Sequence, residues 1–191
     1  MNIVRRVITG YSQPHVAIYS DAEGTVKYSD FKKLAEGVKI SIEPNSSGSN
    51  NFYADNAPIE SSGGVFTGGT ATLEVNGLKP EAEKMIMGLP DAVENWTDYG
   101  ETQNVPYVGI GFIVEYQSKG KKSYQAYVLK KAKFDILKLE AETRGEEVDY
   151  QTQELEAVLL RDAEGNWKSI SIEFETEGEA LNALKNKMGN A

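Results

Sequence analysis

Few residues in this chain could carry chemistry. His15 is the only histidine and cysteine is absent. A Cys/His dyad is therefore impossible, and a Ser-His-Asp triad would have to use His15. No Gly-x-Ser-x-Gly elbow accompanies it, and beside Pro14 at a strand start it reads as structural or exposed. Without cysteine there is also no disulfide framework, thiol nucleophile or thiolate metal site. Acids are plentiful, 29 of them, so composition is compatible with a hydrolase that uses two carboxylates. Nothing marks one pair above another, and surface solvation accounts for them. Asn50, Asn51, Asp55, Asn56 and Glu60 offer hard oxygen ligands, but their spacing is not that of a calcium loop, and turn chemistry explains them better. The glycine pairs at 63–64 and 68–69 lack the Lys-Ser/Thr of a phosphate loop, and Gly109-x-Gly111 falls inside a strand pattern. The expectation is a protein without catalytic, cofactor-binding or metal residues.

Charge narrows the partners. The 191 residues carry 29 acids against 20 bases, a formal −9. Nucleic-acid binding by phosphate neutralisation needs a basic surface, so it is not expected here. A surface that nucleic acid must pass without sticking is compatible with this balance. The amino terminus has no signal-like apolar core after its basic pair, and no run approaches the ~18–20 apolar residues of a membrane span. Synthesis in a cytoplasm is the expectation, with no membrane partner.

The elements that would position any site are mostly strands. Residues 16–28 read as a hairpin and 30–36 as a helical turn or two ended by Gly37. Val38, Ile40 and Ile42 share one face of a half-buried strand that Pro44 should end. A polar loop over 44–64 follows, with Phe52-Tyr53-Ala54-Asp55-Asn56 at its centre. Connections in compact domains run roughly 4–6 residues, so a loop of this length is functional or disordered. A strand over 70–75 leads to a helix over 79–88, with Pro80 in its first turn and Gly88 past its end. After an irregular stretch over 89–104, Val108, Ile110, Phe112, Val114 and Tyr116 line one face of the strongest strand. Further strands are expected over 123–139, 148–160 and 167–175, and a short helix over 177–188. The fold expectation is a mainly β single domain over 1–191, a β-sandwich or rolled barrel with a flanking short α-helix and a long inter-strand loop.

Three segments carry a resemblance. Ser41-Ile42-Glu43-Pro44, then Phe52-Tyr53-Ala54-Asp55-Asn56, then Gly68-Gly69-Thr70-Ala71-Thr72-Leu73-Glu74-Val75 resemble the major tail protein of long-tailed bacteriophages, in the phi13-type tail tube family. The later order is similar too: an apolar strand over 107–116, a lysine-bearing turn, a long strand over 124–134, Glu142-Thr143 and Asp149-Tyr150-Gln151-Thr152. The resemblance spans roughly residues 7–174.

It implies a sandwich or barrel subunit with a flanking helix. Six subunits would close into a ring and rings would stack into a tail tube, a channel for DNA ejection and for the tape-measure protein. Tail terminator and tip proteins would be further partners, and the virion tail the location. The family has no catalytic residues. Phe52, Tyr53, Asp55, Asn56 and Phe66 are the candidate inter-subunit contacts, and Glu43, Glu74, Glu154 and Glu156 the candidate channel-facing acids. The alternative is a monomeric β-sandwich module of a phage tail that binds carbohydrate or a receptor.

Overall fold

The computed structural model describes residues 6–48, 50–54, 57–101, 103–141, 143 and 151–189, with the side chains of 23 and 50–62 outside that description. Among these residues the chain forms ten strands, two α-helices and one 3-10 turn over Ala22–Gly24. The strands are β1 (Val7–Ser20), β2 (Lys27–Lys33), β3 (Glu36–Ser46), β4 (Asn50–Ala54), β5 (Ala57–Ser62), β6 (Phe66–Asn76), β7 (Val108–Ser118), β8 (Lys121–Phe134), β9 (Gln153–Leu160) and β10 (Lys168–Ile170). The helices are α1 (Pro80–Met87) and α2 (Glu177–Met188). Eight strands form one antiparallel sheet in the order β2-β1-β7-β8-β9-β6-β3, with β10 also on β8; β4 and β5 form a separate two-stranded ribbon.

The two ends of that order, β2 and β3, are consecutive in the chain. Only Leu34 and Ala35, both fully buried, separate them. The chain turns this corner with the Leu34 N–H donating to the Pro14 carbonyl at 2.9 Å, and Lys79 N–H donating to the Leu34 carbonyl at 3.2 Å. Beyond the corner β3 lies against β1, so closely that a Cβ on Gly37 would stand 2.4 Å from the Tyr11 ring. The sheet is therefore rolled. Its concave side holds the main core, from Val108, Ile110, Phe112, Val114 and Tyr116 of β7 to Ala71, Leu73 and Val75 of β6.

Ala82, Ile86 and Met87 of α1 join that core beside Leu34. They close the end of the roll at which β7 begins. Pro80 opens this helix and Gly88, in the left-handed region at φ 62°, ends it.

The convex side carries a second core of Ala17, Tyr19, Tyr28, Ala126 and Val128 beneath Leu184 and Met188 of α2. Thr176 and Glu179 form a capping box at the start of α2, and Lys185 and Lys187 sit at its end. Gly109 and Gly111 explain where α2 lies. A Cβ on Gly111 would meet Leu184 at 2.6 Å and Met188 Sδ at 2.7 Å; one on Gly109 would meet Tyr28 at 2.6 Å. The two glycines form a furrow in the sheet that the helix side chains fill.

Four expectations are corrected. Pro14 and Pro44 lie inside strands. Pro14 sits at a bulge between Ser12 and His15, beside Gln13 at φ 54°, and Pro44 is on the outermost strand, where its missing N–H costs no ladder bond. Residues 30–36 are not helical: β2 continues to Lys33, held by the pairing with β1 that local propensity does not see. A bulge between Gly37 and Lys39 leaves Val38 half exposed, whereas Ile40 and Ile42 face the core. The 44–64 loop is largely strand: β3 runs on to Ser46, and β4 and β5 continue the hairpin beyond it.

Filling the furrow should loosen α2. Gly111→Val is expected to cost about 1–3 kcal/mol of unfolding free energy through overpacking, measured by urea denaturation. A double-mutant cycle with Leu184→Ala should be non-additive, because the smaller helix side chain makes room for the added methyls.

Candidate functional site

Two features hold the candidate residues. The first is the ribbon. Ser46 of β3 pairs with Phe66 of β6, Ser47 N–H donates to the Val65 carbonyl at 2.9 Å, and Gly64 N–H returns to the Ser47 carbonyl at 3.3 Å. Beyond this neck, Asn50 pairs with Ser62, Phe52 with Glu60 and Tyr53 with Pro58, with a register shift between the last two pairs. The β3–β6 hairpin thus narrows to two strands that run on past the sheet. From Asn50 to Ala54 the ribbon runs about 13 Å at the usual strand rise. Among the described residues β4 and β5 pair with each other and with no other strand, so both outer edges present unpaired N–H and C=O groups. Phe52 and Tyr53 lie in β4; their side chains, and Asp55 and Asn56 altogether, are outside the described residues. Phe66 belongs elsewhere. It is buried at the base of the ribbon, stacked on Trp167 with ring centroids 4.5 Å apart and planes 4° apart.

The second feature is a polar sheet face. Period-two alternation sends Ile40, Ile42, Ala71, Leu73, Leu155 and Ala157 inward and leaves their neighbours outside. Register then aligns those neighbours in rows across three strands: Lys39–Glu74–Glu154, Ser41–Thr72–Glu156 and Glu43–Thr70–Val158. Glu43, Glu74, Glu154 and Glu156 therefore share one face. Glu74 and Glu154 stand directly opposite each other, a pairing that like charges make unfavourable. Thr152 Oγ1 donates to Glu74 Oε1 at 2.6 Å, and Lys138 Nζ pairs with Glu156 Oε1 at 2.7 Å, which offsets part of that repulsion. Glu74, Glu154, Lys138 and Thr152 border an open polar depression of about 610 Å³.

The residues with catalytic potential are committed elsewhere. His15 is 6% exposed; its ring stacks on Phe31 with centroids 4.6 Å apart, and Nδ1 lies 2.8 Å from the Gln13 carbonyl oxygen. Burial pushes the imidazole below its ordinary value, the Gln13 carbonyl opposes this, and Lys33, Lys185 and Lys79 reinforce it. Lys130 and Asp162 form a buried ion pair at 2.7 Å, and Asp162 Oδ1 accepts the Glu164 and Asn166 N–H groups. This pair ties the β9–β10 connection to β8. Burial raises the Asp162 carboxyl, but the Lys130 ammonium and those backbone donors outweigh it and hold the group low. Among the described residues no group of three or more His, Cys, Asp or Glu side chains could hold a metal ion, and no helix is long and apolar enough to cross a membrane.

Sequence reasoning missed two surfaces. The stretch read as irregular contains a two-residue hairpin, Val93 bonded to Trp96 across Glu94 and Asn95 at φ 50° and 72°. Asn95, a residue type that tolerates positive φ, is its one local signal, and Glu94 carries none. The other is an apolar opening at the end of the roll opposite α1, which forms only when β1, β3, β7 and the Trp167 segment converge.

The buried histidine makes stability depend on pH. Its folded value lies below its unfolded one, so its contribution is complete above pH ~6.5 and is lost as pH falls through the folded value. Wild-type stability in urea should therefore fall between pH 7 and 5 more steeply than that of His15→Phe, by up to about 1.4 kcal/mol per pH unit where the two states differ by one proton. Compared with known proteins, the chain matches no protein-family model and no curated protein.

Proposed function

We propose that this chain is a structural subunit that works by polymerising. Six copies close into a ring and rings stack into a hollow tube, as the resemblance to phage tail tube proteins implies, with DNA passing through the lumen without adhering. The observation that carries this reading is the ribbon. An isolated two-stranded hairpin is marginal in water, and its free edges and its length suit it to pair with a second subunit. The rolled sheet with a helix on its convex side is the type of subunit that the resemblance implies.

The acids support the passage of DNA. Glu43, Glu74, Glu154 and Glu156 lie on one face, and a lumen lined by that face would repel phosphate rather than bind it. Six copies at −9 each carry −54 per ring. On this reading the protein is made in the host bacterial cytoplasm and resides in the virion tail. There it would meet the tape-measure protein inside the tube, and terminator and tip proteins at its ends.

Negative-stain microscopy of the concentrated protein tests the reading, with rings or hollow tubes expected. Replacing residues 48–63 by an Asn-Gly turn should leave a folded subunit that no longer polymerises. Normal tubes from that variant would remove the ribbon from assembly. A wild-type protein that stays monomeric and binds glycans would overturn the proposal in favour of a binding module.

A further inference from the structure

The two ends of the rolled sheet are unlike. At the end where β7 begins, α1 closes the core and the exposed segment over 91–101 projects beyond it. That segment is anchored at its base: Gln103 Nε2 donates to the Met87 carbonyl at 2.7 Å, Tyr99 Oη to Glu83 Oε1 at 2.6 Å, and Lys84 pairs with Asp91. On this base the tight Val93–Trp96 hairpin holds two large apolar side chains in solvent, Val93 73% and Trp96 76% exposed. Glu94, Asp98 and Glu101 lie near them in sequence, all exposed and with no ion pair among the described residues.

At the end where β7 finishes, about 34 Å away along the strand, the roll is open among the described residues. Ile8, Ile42, Tyr116, Tyr127, Trp167 and Lys168 border an apolar cavity of about 240 Å³. Small-molecule sites usually measure roughly 300–1,000 Å³, so this cavity suits one large side chain better than a free ligand. Ile8 on its rim is 64% exposed. Among the described residues, Lys122 pairs with Glu115 and Arg6 with Glu173. Lys119, Lys121 and Lys168 (the last over the Trp167 ring) have no ion pair among those residues, against Glu43 and Glu175, a balance of one positive charge.

We infer that the Val93–Trp96 hairpin of one copy inserts Trp96 into the open mouth of the roll of a second copy, joining subunits head to tail along the strand axis. The occupant is a second copy because the chain carries both halves. An anchored, exposed indole with exposed acids beside it in sequence stands at one end. An aromatic-lined cavity of side-chain size, near lysines that have no ion pair among the described residues, stands at the other. Burial of a single central aromatic residue is how interface energy is commonly concentrated, and the flanking charges orient the approach. This inference takes its partner from the self-assembly reading but does not depend on rings or tubes.

The test uses two full-length variants that alter only exposed side chains, Trp96→Ala for the plug and Ile8→Asp for the socket, with circular dichroism to confirm that each folds. Sedimentation velocity should show each variant weakened in association by about 30-fold or more, the size of an interface hot spot. Because each retains the half that the other lacks, an equal mixture should form pairs of whatever unit each variant forms alone. Wild-type assembly should weaken as salt rises from 50 to 500 mM, as screening of the flanking charges requires. If Trp96→Ala assembles like wild type, or the mixture forms no pairs, the inference is wrong while the tube reading stands. Solid, unclosed chains that need Trp96 would support the inference and overturn the tube. A wild type that is monomeric at every concentration would overturn both.

Discussion

The Leu34–Ala35 corner is the constraint on which the rest of the molecule depends. A sheet whose first and last strands are consecutive in sequence cannot lie flat, because two residues cannot bridge the width of seven strands. The corner forces the sheet to roll and brings β3 against β1. The concave side thereby becomes an enclosed core, where period-two strands bury their apolar halves. The bond from Leu34 to Pro14 and the bond from Lys79 back to Leu34 tie the corner to both β1 and the start of α1. The same two residues thus set the roll and position the helix that closes one end of it.

Legibility in the sequence followed the range of the interactions. The face from Val108 to Tyr116 and the caps of α1 were readable because alternation, a first-turn proline and a terminal glycine act within a few residues. Pro14 and Pro44 read locally as strand boundaries because whether a proline is tolerated depends on the neighbouring strand, and a bulge or a free edge leaves no local mark. The ribbon was misread as a loop for a related reason. A two-stranded extension beyond the sheet has no buried face of its own to impose alternation on its sequence. Residues 30–36 have acceptable helix composition, but pairing with β1 overrides it.

The candidate site was legible in a comparable way. That Glu43, Glu74, Glu154 and Glu156 share a face follows from alternation. Their alignment in rows, and the opposition of Glu74 and Glu154, follow only from register across three strands that are distant in sequence. Phe66 stands with the loop residues among the candidate inter-subunit contacts, yet it is buried at the base of the ribbon. Its partner, Trp167, is a hundred residues away and no local pattern links them. Gly109 and Gly111 read locally only as glycines inside a strand pattern, because the helix that packs on them is encoded about seventy residues later.

The unlike ends of the roll carry one last consequence. A contact that joins one end of a subunit to the opposite end of its neighbour uses up one free end and supplies another of the same kind. Nothing in such a contact distinguishes the tenth addition from the hundredth. A column of these subunits would have a direction but no intrinsic length, so any definite length would have to be measured out by something other than the subunit itself.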